Sequence, residues 1–128
     1  MRSTAVVIFA HGSSVESAND AVRRVALNFA REGGFEMVEA AFLEQGQPDL
    51  ATAVDTAMAK GAERIVVVPY FLTLGIHLER DLPRIVEGLV RNHPGVEIRV
   101  APPLDGHPAL GEILKQRVRQ ALGGRELS

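Results

Sequence analysis

The chain has 128 residues, of which 46% are hydrophobic and 23% charged, and its 14 basic and 16 acidic side chains leave a net charge of −2. These totals suit a single globular domain over residues 1–128 and exclude a disordered, coiled-coil or fibrous chain. The weak net charge argues against nucleic acid or a membrane surface as partner, since both select basic patches. The absence of cysteine rules out a disulfide, a thiolate nucleophile and Cys-ligated zinc, so any metal must be held by His, Asp, Glu or carbonyl oxygens.

The first apolar run, Thr4 to Ala10, suits a strand buried on both faces, as in a parallel sheet. It is too short for a signal h-region or a membrane span, so the cytoplasm is the expected location. Ala18, Ala21, Val22, Val25, Ala26 and Phe29 then recur at helical spacing, and Gly33-Gly34 stops that helix. Phe35 to Phe42 reads as a second strand. Pro48 opens a second helix, where its missing N–H costs nothing, and Leu50, Val54, Ala57 and Met58 form its buried face up to Gly61. Ile65 to Pro69 is a β-branched third strand. Leu82, Ile85, Val86, Leu89 and Val90 mark a third helix. Pro83 belongs in its first turn, which puts the N-cap at Asp81 and leaves His77 to Arg80 in a loop. Val96 to Val100 is the fourth strand, and Ala109, Ile113, Leu114 and Val118 give a final helix stopped at Gly123-Gly124.

The order is βαβαβαβα. Such alternation predicts an α/β fold: one four-stranded parallel sheet, flavodoxin-like order 2-1-3-4, helices on both faces and right-handed crossovers. Ligands in such sheets bind beyond the C-terminal strand ends. There the chain places His11-Gly12-Ser13 after the first strand, Leu43-Glu44 after the second and, past an apolar loop, His77 after the third. Equal steps along the chain separate His11 from Glu44 and Glu44 from His77. With neighbouring strands ~4.8 Å apart, the three side chains start within ~10 Å of one another. Two imidazoles and a carboxylate suit a borderline divalent ion such as Co²⁺, Fe²⁺, Ni²⁺ or Zn²⁺, and three protein ligands leave coordination positions open.

Bland readings compete with this one. His11 also suits a satisfied histidine beside a tight turn, Glu44 a solvated loop acid, and His77 a hydrogen bond to a carbonyl. Gly12-Ser13-Ser14 suits a phosphate cradle at a helix N-terminus, yet the chain has neither G-x-G-x-x-G nor Gly-Lys-Ser, which weakens a nucleotide-binding domain. Ser13 lacks the G-x-S-x-G context of a nucleophile. His93 and His107 read as surface residues.

At these residues the chain resembles the small, single-domain sirohydrochlorin chelatases, type II chelatases of tetrapyrrole synthesis. The matching stretches are Ala10-His11-Gly12-Ser13, Ala41-Phe42-Leu43-Glu44, Gly61 to Pro69, Gly75-Ile76-His77 with Asp81-Leu82-Pro83, and His93-Pro94-Gly95-Val96 leading to Ala101-Pro102-Pro103-Leu104. They cover nearly the whole chain in order. The resemblance implies that His11 and His77 bind the metal and Glu44 assists. It further implies insertion of Co²⁺, or Fe²⁺ or Ni²⁺, into a sirohydrochlorin-type macrocycle without ATP or another nucleotide, by a homodimer. Two departures stand out: Ser14-Val15 where many members carry Arg-Asp, and Gly75-Ile76 where many carry Gly-Gly.

Metal insertion displaces two pyrrole protons and needs no redox change, and neutral histidine both ligates ions and accepts protons. Tyr70, Phe71, Leu72, Leu74, Gly75 and Ile76 offer an apolar wall for a macrocycle or a surface for a dimer partner. Ser13 lies beside the site, and Arg80 and Arg84 are the nearest cations for peripheral carboxylates. The competing class is a non-catalytic carrier of divalent metal or tetrapyrrole.

Overall fold

The computed structural model describes residues 3–73 and 75–123, with the backbone alone at Ile76 and His77. Eight elements alternate: β1 (Thr4–Ala10), α1 (Glu16–Gly33), β2 (Met37–Phe42), α2 (Leu50–Ala59), β3 (Arg64–Pro69), α3 (Ile76–Asn92), β4 (Glu97–Val100) and α4 (Ala109–Ala121). The four strands form one parallel sheet in the order β2-β1-β3-β4, as the alternating pattern predicts.

Strand β1 lies in the middle of the sheet and is buried on both faces. Ala5, Val7 and Phe9 point into one core with Leu50, Val54 and Ala57 of α2 and Leu82 and Leu89 of α3. Val6, Ile8 and Ala10 point into the opposite core with Ala26 of α1, against which Val22 and Phe29 also pack. The unbroken apolar run of β1 thus serves two layers, since alternate side chains leave opposite faces.

Helix α1 turns a narrower face inward than its apolar spacing suggests. Asn19 and Ala26 are buried while Ala18, Ala21 and Val25 are exposed. Gly34, in the left-handed region at φ 72°, ends the helix as expected. Phe35 stacks on Phe29 with ring centroids 5.4 Å apart, so β2 starts at Met37 rather than Phe35. Pro48 lies outside α2; Asp49 is the N-cap, its side chain accepting from the Thr52 N–H, which satisfies a first-turn donor that Pro48 cannot reach.

Helix α3 departs most from expectation. It starts at Ile76 with Gly75 as N-cap, so Asp81 is no cap and Pro83 stands inside the helix. Pro83 removes one backbone bond, but the apolar stripe does not begin there. Leu78 packs against the same core as Leu82, Ile85 and Leu89, and burial along that extra turn opposes the cost of a proline inside a helix, about 3 kcal/mol. Helix α4 forms as its apolar spacing predicts, but none of its residues is buried, and Ile113, Leu114 and Val118 are 47%, 66% and 44% exposed.

Candidate metal-delivery site

The register places Ala10 beside Phe42 and Phe9 beside Pro69, so β1, β2 and β3 end together. The pairing of β1 and β2 runs on past their ends. The Leu43 N–H donates to the Ala10 carbonyl at 2.9 Å and the Glu44 N–H to the His11 carbonyl at 3.0 Å. This ladder places two of the residues singled out from sequence next to each other: His11 Nε2 lies 3.2 Å from Glu44 Oε1.

His11 Nδ1 is 3.0 Å from the Gly12 carbonyl. A carbonyl only accepts, so Nδ1 donates to it, and Nε2, the nitrogen that faces Glu44, is the one left to bind an ion once it carries no proton. Two ligand atoms bound to one tetrahedral ion at about 2.0 Å each stand about 3.3 Å apart. The observed separation therefore fits joint ligation of one ion. Both side chains are 58% exposed, so an ion reaches them without any opening of the core. Among the described residues no group of three His, Cys, Asp or Glu gathers. The His77 side chain, expected as the third ligand, lies outside the described residues; its backbone stands in the first turn of α3.

His11 of this pair borders an apolar trough. A cavity of about 370 Å³ is lined by His11, Leu43, Phe71, Thr73, Gly75, Leu78, Asp81 and Ile85. A second of about 370 Å³ shares Leu43 and Ile85 and adds Arg84, Gly88 and Asn92 along α3. Phe71 meets Phe9 edge-on with centroids 6.3 Å apart, which anchors the aromatic wall in the core. Of the residues proposed from sequence to meet substrate, the structure thus brings Phe71 and Gly75 to His11. Tyr70 packs on the α1 side of the sheet instead. Ser13 Oγ accepts from the Val15 N–H, Arg80 is an exposed residue of α3, and Leu74 and the Ile76 side chain lie outside the described residues.

Two residues went unnoticed at this site. Asp81, read as a helix cap, sits on the cavity wall. Asn19, not singled out from sequence, is buried beside the loops that carry His11 and Glu44. Its spacing to Val22, Ala26 and Phe29 was the signal, since all four fall on one stripe of α1.

The CbiX family model matches residues 5–121. The chain belongs to the CbiX family. Sirohydrochlorin cobaltochelatase of Methanopyrus kandleri is 34% identical to it over 140 residues, covering 93% of this chain and 97% of that protein. The enzyme of the same name from Saccharolobus solfataricus is 35% identical over 122 residues, covering 90% and 93%. In structure, this CbiX chain matches a putative cobalamin (vitamin B12) biosynthesis CbiX protein from Marinobacter aquaeolei VT8 with a TM-score of 0.84, 33% identity, and coverage of 95% and 99%. The sirohydrochlorin chelatase SirB from Bacillus subtilis subspecies spizizenii, in complex with cobalt, matches with a TM-score of 0.84 and 22% identity over 94% of this chain and 51% of SirB. That second match concerns the fold, and one unit of this size spans about half of SirB. No helix among the described residues is long and apolar enough to cross a membrane.

Proposed function

We infer that this CbiX chain is a sirohydrochlorin chelatase, a lyase that places a divalent ion in the macrocycle. Cobalt is the proposed ion, and the reading includes a cytoplasmic homodimer that needs no nucleotide. The observation that carries it is the His11–Glu44 pair, 3.2 Å apart, with His11 on the wall of an apolar trough. The ion is a substrate, so it must be held and then released. Two exposed donors and a ligand from position 77 suit that better than a closed structural site.

The reaction exchanges one M²⁺ for two pyrrole protons, with no electron transfer. In the proposed course His11 presents the ion through Nε2, His77 joins it, and Glu44 serves as ligand or as acceptor for a departing proton. Phe71, Leu43 and Leu78 line the trough and offer a flat apolar ring dispersion contact and release of water. Arg84, on the adjoining cavity, is the cation best placed for a peripheral carboxylate. The exposed apolar residues of α4, and the correspondence of one chain to about half of SirB, support a second copy.

The test is sirohydrochlorin incubated with Co²⁺, Fe²⁺ or Ni²⁺ and followed by absorbance, with wild type, His11→Ala and Glu44→Gln. The proposal expects insertion by wild type and a loss of at least tenfold in His11→Ala. Metal binding without insertion into any ring would instead establish a carrier.

A further inference from the structure

Among the described residues Asn19 is the only buried polar side chain, at 1% exposure. It stands in the first turn of α1 and its amide reaches two loops at once. Oδ1 accepts from the Ser13 N–H at 2.9 Å. Nδ2 donates to the Ser13 carbonyl at 2.9 Å, the Gln45 carbonyl at 3.0 Å and Glu16 Oε2 at 3.1 Å. Two hydrogens serve three acceptors, so at least one bond is shared. Ser13 lies two residues past His11, and Gln45 follows Glu44 directly.

The loop after β2 needs this support. Gln45 has φ 54°, the left-handed region that a residue with a side chain adopts at a cost of about 1 kcal/mol. Next to it, a Cβ on Gly46 would stand 2.8 Å from the Phe42 ring and 3.1 Å from Asn19 Nδ2, so the loop lies flat against the amide. One helical turn further on, Arg23 donates to the Gln47 carbonyl at 2.7 Å and lies over the Phe42 ring, 5.1 Å from its centroid. His11 and Glu44 are both exposed, so the loop backbones beneath them, rather than core packing, decide their separation.

We propose that Asn19 is a positioning residue: by bonding the loop after β1 and the loop after β2 together, it sets the distance between His11 and Glu44. The proposal rests on the reading of that pair as the ion's contact in the chelatase. Loss of a group that orients metal ligands weakens metal binding by about 10- to 100-fold.

The test compares Asn19→Ala with Val22→Ala, which thins the same helix–sheet contact and touches neither loop. Co²⁺ affinity is read by titration calorimetry and insertion by absorbance. Asn19→Ala should weaken Co²⁺ binding about tenfold and raise the KM for Co²⁺ while the KM for the macrocycle stays unchanged. Val22→Ala should lower the thermal midpoint with Co²⁺ affinity intact. In a Glu44→Gln background the effect of Asn19→Ala should shrink to under about threefold, because residues acting through one another are non-additive. Asn19→Ser replaces Asn19→Ala where the latter does not fold. Wild-type Co²⁺ affinity in the Asn19 variant overturns the proposal, as does an equal loss in Val22→Ala or an undiminished loss in the Glu44→Gln background. Should His11→Ala and Glu44→Gln both bind Co²⁺ like wild type, the reading of the pair itself fails and the positioning role falls with it.

Discussion

Gly12 carries the tightest steric demand near the candidate site. Its backbone has φ +93°, and a Cβ there would stand 1.7 Å from the Glu44 carbonyl oxygen. A methyl group at this position must push the two loops apart, since the atom it meets is backbone. Gly12→Ala should therefore cost about 2 kcal/mol or more of stability and abolish metal insertion; retention of wild-type Co²⁺ affinity would show that the loops need not touch. Much of this neighbourhood was legible in the chain itself. His11 and Glu44 follow stretches that read as strands, and the end of a parallel sheet is where such residues meet. Asn19 was not legible, because a polar residue among apolar ones reads as solvated until its four hydrogen bonds are seen. The His77 ligand reading rests on the resemblance and on the place of its backbone in α3.

Among the elements, α3 carries the main lesson. Pro83 was expected in the first turn, as a proline's usual tolerance suggests, yet α3 begins seven residues earlier at Ile76. The rule about proline is local, whereas Leu78, Leu82, Ile85 and Leu89 share a core, and the stripe wins. One consequence places residues 77 and 81 a single turn apart on the helix that walls the trough. Another concerns stability: with no N–H at position 83, the Glu79 carbonyl lacks its intrahelical donor. Pro83→Ala should restore that bond and raise stability by about 1 kcal/mol, read as a higher thermal midpoint, the helix gain being partly offset by a more flexible unfolded chain. A lowered midpoint in calorimetry would mean that the pyrrolidine ring packs better than an alanine with its bond restored. The reverse case is α2, where the apolar face was read correctly and only the start was misplaced: Pro48, expected to open the helix, precedes the Asp49 N-cap.

Across the whole molecule, two features link folding to conditions and to assembly. His93, at the end of α3, has Nε2 2.6 Å from Asp55 Oδ1 on α2 and Nδ1 2.8 Å from the Leu89 carbonyl. Both partners accept and so favour the protonated ring: Asp55 first, then the Leu89 carbonyl, raise its pKa above the ordinary value. A raised histidine stabilises the fold fully below the unfolded-state pKa of about 6.5 and loses that contribution as pH rises through the folded value. The thermal midpoint should accordingly fall on the alkaline side of about pH 6.5, and His93→Ala should remove that step; an unchanged profile in the variant would assign it elsewhere. Assembly turns on α4, whose helical spacing was read correctly but whose apolar residues Ile113, Leu114 and Val118 are exposed. Sedimentation at micromolar concentration should give a dimer mass, and a monomer would leave that face unexplained. The account as a whole stands on metal insertion. Sirohydrochlorin mixed with Co²⁺ and enzyme should change its absorbance to that of the cobalt complex faster than without protein, and His11→Ala should slow this by at least tenfold. No acceleration with Co²⁺, Fe²⁺ or Ni²⁺, or an unimpaired His11→Ala, would contradict it.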